Sequence, residues 1–230
     1  MTVIDIGSGP GYAAFDLARL VGRSGRVIAV DQSRLFLDAL EQGARHRNIG
    51  NIEVVESDLA DLDWDAFDCD VAWSRWCLSF VPDPASVMAG IDRALRPGGV
   101  FLAQEYADYD SLQMIPDAPA FLKFVKAVER SWRHFDGDPN VGRRFPEFFR
   151  DLGWRLHEAR PIVHAARPGE AFWDWPVSWF EQAPARMVEL GFLTPEEARE
   201  FDAFVETRKA DPASMMITPM VLETIAFKPG

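Results

Sequence analysis

The sequence predicts an α/β fold built on a doubly wound, mostly parallel sheet, and three observations carry that expectation. Apolar strand-like runs alternate with amphipathic helical stretches five times in roughly the first hundred residues, the pattern of βαβ units joined by right-handed crossovers. The first run ends in three glycines at alternate positions, Gly7, Gly9 and Gly11, as when a strand bends tightly into a helix beside a ligand. Beyond residue 105 the chain becomes aromatic-rich and mainly helical, with two further strand-like runs that bring the strands to seven.

Each element has its own signal. After Gly11, the residues Ala14, Leu17, Ala18 and Val21 recur at helical spacing, and Gly22 and Gly25 end the helix. Residues 26–30 form a second buried strand closed by Asp31. Ser33 caps the next helix, which is expected to carry Phe36, Leu37, Leu40 and Ala44 inward. Residues 52–55 are a third strand, followed by Glu56, Ser57, Asp58 and Leu59; residues 69–73 are a fourth, ending in Ser74, Arg75 and Trp76. Val87, Met88, Ile91 and Leu95 mark a helix that starts near Pro84 and stops at the breaker cluster Arg96, Pro97, Gly98, Gly99. Residues 100–104 are the fifth strand.

In the second half, Phe121, Phe124, Val125, Val128 and Trp132 describe an amphipathic helix, and residues 145–152 a shorter one. Residues 154–163 read as a strand, 168–210 as helical with a capping box at Thr194 and Glu197, and 221–227 as the final strand. No internal repeat or low-complexity linker interrupts the chain. It therefore reads as one domain, 1–230, with a helical insertion at about 168–210 between the last two strands.

Bulk properties exclude several classes. Apolar residues are 48% of the chain, enough for a packed core, and the net charge of -12 repels a phosphate backbone, so no nucleic acid is expected. No stretch approaches the ~18 apolar residues of a membrane span. Asp5 interrupts the N-terminal apolar run, so no signal peptide is read there. Cys69 and Cys77 form no metal-ligand pattern and read as reduced thiols of a cytoplasmic protein without a metal. The chain begins directly in its first strand, so the helix that would cover that face of the sheet is expected to be missing or replaced.

The ligand question turns on spacing. A dinucleotide fingerprint would place Tyr12 where its third glycine belongs. What stands instead is Asp5, Ile6, Gly7, Ser8, Gly9, Pro10, Gly11. An acidic residue two before the first glycine can hold an ammonium group, and loop amides can accept a carboxylate, which suits an amino-acid zwitterion better than a pyrophosphate. Asp31, 20 residues after Gly11, stands where a carboxylate accepts from ribose hydroxyls. Asp58 can accept from an adenine amine while Leu59 packs on the ring. Together they describe a ligand with an amino-acid end, a ribose and an adenine.

With these motifs the chain resembles the class I S-adenosylmethionine-dependent methyltransferases of the small-molecule type. The resemblance covers residues 1 to about 105 and, loosely, the last strand. It rests on five segments in order: 3–11, 27–33, 56–59, 67–75 and 95–102. It implies a Rossmann-like seven-stranded sheet with helices on both faces and an antiparallel last strand, a cofactor-binding half over 1–105 and a substrate-side half over 106–230. It also implies that the cofactor is S-adenosyl-L-methionine, with Asp5, Gly7, Ser8, Gly9 and Gly11 around its methionine portion, and Asp31 and Gln32 at the ribose and nucleoside edge. Asp58 and Leu59 would meet the adenine, and Ser74 and Arg75 the region of the sulfonium. Many relatives carry a histidine after the fourth strand, where this chain has Leu78, Ser79, Phe80, Val81 and Pro82.

The substrate side is less defined. Tyr12, Trp76, Tyr106, Tyr109 and Arg144 are candidates for contact with a small acceptor of apolar or aromatic character; Glu105 and Asp108 cluster with the tyrosines and read equally well as a solvated loop. The aromatic run 172–180 is either an insertion burying its own core or a lid over such an acceptor. The histidines at 46, 134, 157 and 164 are scattered and read as surface residues, and no catalytic base is named. The expected activity is methyl transfer by in-line positioning. The alternative is a cofactor-binding module without activity of its own that works with a partner.

Overall fold

The alternation of strands and helices is realised in the computed structural model, which describes residues 1–230. In chain order the elements are β1 (Thr2–Ile6), α1 (Tyr12–Val21), β2 (Arg26–Asp31), α2 (Arg34–His46), β3 (Ile52–Glu56), β4 (Cys69–Arg75), α3 (Pro84–Ala94) and β5 (Leu95–Asp108). There follow β6 (Gln113–Ile115), α4 (Pro119–His134), α5 (Phe145–Leu152), β7 (Arg155–Ile162) and β8 (Ala165–Ala166). The chain closes with α6 (Ala171–Phe180), α7 (Ala183–Glu189), α8 (Pro195–Ala210), β9 (Met215–Ile217) and β10 (Met220–Phe227). Two units are formed: one from Met1–Glu105, Val141–Arg160 and Leu222–Gly230, the other from Tyr106–Asn140 and Pro161–Val221.

The first unit is built on a seven-stranded sheet of order β3-β2-β1-β4-β5-β10-β7. The strands from β3 to β5 pair in parallel, with Asp5 opposite Ala29 on one side and Trp73 on the other. β10 runs against β5: Gly98 N–H donates to the Pro229 carbonyl at 3.1 Å, and Lys228 N–H to that of Gly99 at 2.9 Å. Farther along the same pair of strands, the Gln104 side-chain amide donates to Glu223 at 2.6 Å. The expected sheet, with its antiparallel last strand, is the one that forms.

The period-2 alternation of the strands fills both faces. Val3, Val27 and Ala29 pack on Ala14, Phe15 and Ala18 of α1 and on Leu40 and Ala44 of α2. Ile4, Ile6, Ile28 and Val30 point the other way, into a core with Val87, Met88 and Ile91 of α3 and Phe145 and Phe149 of α5. Phe101, fully buried, meets Phe145 and Phe149 edge-on at 5.9 and 6.2 Å and Trp154 at 5.6 Å. The core contacts put α1 and α2 on one face and α3 on the other, and the strand order reverses between β1 and β4, which makes a switch point there.

Local signals set the helix ends. Ser33 Oγ accepts from Phe36 N–H, and the Asp83 carboxylate from Ser86 N–H ahead of Pro84. Asn51 closes α1 by donating its side-chain amide to the carbonyls of Ala18, Gly22 and Gly25 at 3.0 to 3.3 Å. Phe36 departs from expectation: it is 46% exposed, because the inward stripe of α2 runs through Leu37, Leu40 and Ala44. The breaker cluster departs too. β5 starts at Leu95, which pairs with Cys69, while Val71 pairs with Val100, so residues 96–99 bulge out of the ladder with Gly98 at φ 77°.

The second unit contains α4, α6, α7 and α8 with a small antiparallel sheet of order β6-β9-β8. Strands of two or three residues are too short to show alternation in a sequence. Its core is aromatic: Phe124 stacks on Phe201 at 3.9 Å, and Phe121 and Phe180 close around the pair. The aromatic run becomes α6, with Trp173, Val177 and Phe180 in that core and Phe172 and Trp179 partly exposed. Thr194 and Glu197 form the expected capping box. Tyr106, Tyr109 and Trp132 make a cluster with ring centroids 4.9 to 5.5 Å apart. No helix is long and apolar enough to cross a membrane.

Candidate functional site

The glycine turn after β1 is held by its own backbone. Ser8 N–H donates to the Val30 carbonyl at 2.9 Å, Gly11 N–H to Ser8 at 3.1 Å, and Gly9 N–H to Asp31 Oδ2 at 2.8 Å. The other Asp31 oxygen accepts from Ser33 N–H at 2.8 Å. Asp31 therefore ties the glycine turn to the start of α2, and each of its oxygens keeps a second lone pair for a ligand hydroxyl. Gly7 has φ 66°, and a Cβ there would lie 2.4 Å from Cys77 Sγ. Gly9, at φ 54°, faces open space. A Cβ on Gly11 would strike Leu40 at 2.6 Å, so Gly11 provides the close helix packing and Tyr12, 71% exposed, is left at the rim.

The turn opens onto a cleft at the C-terminal ends of β1, β2 and β4, where ligands bind in open α/β sheets. Its larger lobe, about 450 Å³, has Asp5, Ser8, Gly9, Trp73 and Arg75 in its walls and Tyr12, Phe36, Trp76 and Phe80 among its aromatic residues. A smaller lobe of about 140 Å³ is walled by Val30, Asp58, Leu59, Val81 and Pro82. Gly7, Asp31, Gln32, Cys77 and Phe80 belong to both lobes, so the cleft is continuous. Another hollow, about 520 Å³, lies beside Gly22, Arg47 and Asn51, at the C-terminal ends of α1 and α2. Asn51 already satisfies carbonyls there, and no acidic or aromatic residue lines it.

The larger lobe concentrates polar atoms that lack a partner within the chain. Asp5 Oδ2, Ser8 Oγ and Trp73 Nε1 are all buried and unpaired. Buried polar groups are nearly always satisfied, so three exceptions on residues that line one cavity stand out. Burial pushes the Asp5 carboxyl from 3.8 up to about 7, with the Arg75 guanidinium pulling it down and Asp31 adding to the rise. The Cys77 thiol is driven well above its ordinary range by burial and then by Glu105, so it is a neutral part of the wall. Neither lobe is lined by a histidine.

Of the residues singled out from the sequence, Asp5, Gly7, Ser8, Gly9, Asp31, Gln32 and Arg75 line the cleft with Tyr12 and Trp76, and Asp58 and Leu59 line its smaller lobe. Gly11 lies beneath the turn against Leu40. Ser74 is fully buried and donates its hydroxyl to Glu105 at 3.0 Å. Arg144 lies over the Phe148 ring at 4.9 Å and does not line the cleft. Tyr106 and Tyr109 belong to the second unit. Glu105 is not in a solvated loop: it is fully buried at the end of the β5 segment of the first unit. Cys77, Phe36 and Phe80 also line the cleft, and of these only Phe80 carries a signal in the sequence, as a large apolar residue next to a proline-rich turn.

Known proteins share sequence and fold with this chain. A family model described as a methyltransferase domain matches residues 1–142. An uncharacterized 37.1 kDa protein in transposon TN4556 of Streptomyces fradiae is 31% identical over 84% of this chain and 54% of its own length. The ubiquinone/menaquinone biosynthesis C-methyltransferase of Vibrio vulnificus (strain YJ016) is 30% identical over 55% of this chain and 50% of its own. The chain thus spans about half the length of these curated relatives. The solved structure of a putative methyltransferase from Bacillus halodurans superposes with a TM-score of 0.67 at 16% identity, covering 100% of this chain and 93% of that one.

Proposed function

The chain belongs to the methyltransferase domain family, and from that premise we propose that the first unit binds S-adenosyl-L-methionine in the β1–β4 cleft and directs its methyl group to a small-molecule acceptor. The observation that carries the reading is the set of unpaired buried atoms at Asp5, Ser8 and Trp73 beside Arg75. An acceptor and a donor facing one lobe match the ammonium and carboxylate of an amino-acid end. The loop amides of Ser8, Gly9 and Gly11 are already engaged and Pro10 has none, so the carboxylate falls to Arg75 and Trp73 rather than to the turn. Asp31 is placed for the ribose diol, and Asp58 with Leu59 for adenine in the smaller lobe.

When bound, the cofactor supplies an electrophilic methyl and a good leaving group, so the residues have to align, desolvate and neutralise. Asp5 holds the amino end in a water-poor site where a charged hydrogen bond is strong. Tyr12, Phe36, Trp76 and Phe80 give the larger lobe an aromatic rim, which fits an apolar or aromatic acceptor; the Vibrio relative's name places it in quinone biosynthesis. Because no histidine lines the cleft, an acceptor that needs little help in losing a proton, such as an acidic carbon or a neutral amine, suits it best. The free thiols Cys69 and Cys77 support a reducing, cytoplasmic setting.

Incubation with S-adenosylmethionine and a panel of phenols, quinols, amines and carbon acids, with chromatography for S-adenosylhomocysteine, tests the reading. Product with an aromatic acceptor is the expected result. Binding without product across the panel would leave a binding module, and no binding would remove the cofactor assignment.

A further inference from the structure

The segment that walls the cleft after β4 is strained and pinned. Trp76 has φ 53°, a left-handed conformation that a bulky side chain rarely adopts, and Cys77 follows at φ -110°, ψ -52°. Successive residues of left- and right-handed conformation turn their amides toward one point, forming an anion nest. Here the nest is filled from within. Cys77 N–H and Leu78 N–H both donate to Glu105 Oε1, at 2.9 and 3.0 Å, and Ser74 Oγ joins them at 3.0 Å. Ser79 Oγ donates to Oε2 at 3.2 Å, and Trp76 N–H to the neighbouring Gln104 carbonyl at 3.1 Å. Burial raises the pKa of the Glu105 carboxyl, and the donors around it pull the other way, favouring the ionised, acceptor-only form.

We propose that Glu105 is a positioning residue for the cleft: its carboxylate fills the nest over residues 76–78 and holds Trp76 and Cys77 in place as the wall against Gly7. Glu105 lines neither lobe, so it acts through the turn and not on a ligand. Without its acceptors the left-handed Trp76 relaxes, and Cys77 withdraws from the contact that leaves no room for a Cβ on Gly7. The inference deepens the reading of this cleft as a cofactor site, but the turn itself can be examined with no ligand present.

The experiment is hydrogen exchange by NMR on the full chain, wild type and Glu105→Gln, paired with S-adenosylhomocysteine titration calorimetry. In the wild type the Cys77 and Leu78 amides are expected to exchange as slowly as those of β1. In Glu105→Gln, which keeps one acceptor oxygen but loses the charge, those two amides should exchange about tenfold faster while β1 and β2 are unchanged, and the affinity should fall about tenfold. Fast exchange of Cys77 and Leu78 in the wild type would overturn the proposal whether or not the variant folds. So would a uniform loss of protection across the sheet, or unchanged protection and affinity in the variant. If wild type binds no S-adenosylhomocysteine while the exchange pattern is as expected, the cofactor reading fails and the role of Glu105 in the turn stands.

Discussion

β1 and β5 each bury a carboxylate, and the two are treated in opposite ways. Glu105 is surrounded by two backbone amides and two hydroxyls, all donating to it. Asp5 is 2% exposed, leaves Oδ2 without any partner, and has only the field of Arg75 to offset its burial. A buried charge that is fully bonded serves the scaffold, because removing it orphans its donors. A buried carboxyl left short of partners is pushed toward its neutral form, at a cost to the scaffold that a ligand cation would relieve. The difference distinguishes two positions that look alike in residue type and burial.

Four measurements break or sharpen that contrast. The largest effect belongs to Glu105→Ala, which strands four donors and is expected to destabilise the fold by about 3–5 kcal/mol in urea unfolding. A loss under about 1 kcal/mol would mean the network is dispensable. Asp5→Asn should go the other way. A carboxyl that titrates near 7 when folded and near 3.8 when unfolded holds its proton in the folded state while the unfolded chain releases it. Its contribution to stability is thus highest below pH 4 and is lost as pH rises to 7. At about 1.4 kcal/mol per pH unit, the variant should gain roughly 2–4 kcal/mol over wild type at pH 8 relative to pH 4. An equal difference at both pH values would show that Asp5 is not held against its preference.

Asp31→Ala comes next. Loss of a charged acceptor should weaken S-adenosylhomocysteine binding by about 1–3 kcal/mol in calorimetry, and unchanged affinity would take the ribose away from Asp31. The smallest effect is a pH dependence. If Asp5 meets the ligand ammonium, it must be ionised, so affinity should fall by up to about tenfold for each pH unit below 7, some 1.4 kcal/mol. The same titration on Asp5→Asn should be flat across that range, and a parallel decline would assign the dependence to another group.

What could be read in advance follows the range of the interactions. The glycine turn, the Ser33 and Thr194 caps and the alternating strands are local patterns, and Asp5, Asp31 and Asp58 stand at strand ends where the fold class brings ligands. Glu105 could not be read the same way, because its four partners lie 26 to 31 residues earlier in the chain. Nothing near position 105 distinguishes an anchored carboxylate from a solvated one. Helical periodicity leaves Phe36 ambiguous, because it stands next to the inward stripe of α2, and in the fold it lines the cleft. The fate of the loop amides was also hidden: that Gly9 N–H already serves Asp31 depends on a contact between two strand ends.

The position of β10 has a bearing on how the polypeptide is made. β10 lies between β5 and β7 in the sheet, yet β7 precedes it in the chain by more than fifty residues. During synthesis β7 therefore leaves the ribosome with no neighbour to pair with, and must wait until residues 220–227 emerge to bridge it to β5. At translation rates of about 5–20 residues per second that is a delay of seconds. Through that interval an unpaired strand is a template for pairing with other chains, and its sequence is suited to the wait: Arg155, His157, Glu158, Arg160 and Pro161 break what would otherwise be an apolar edge.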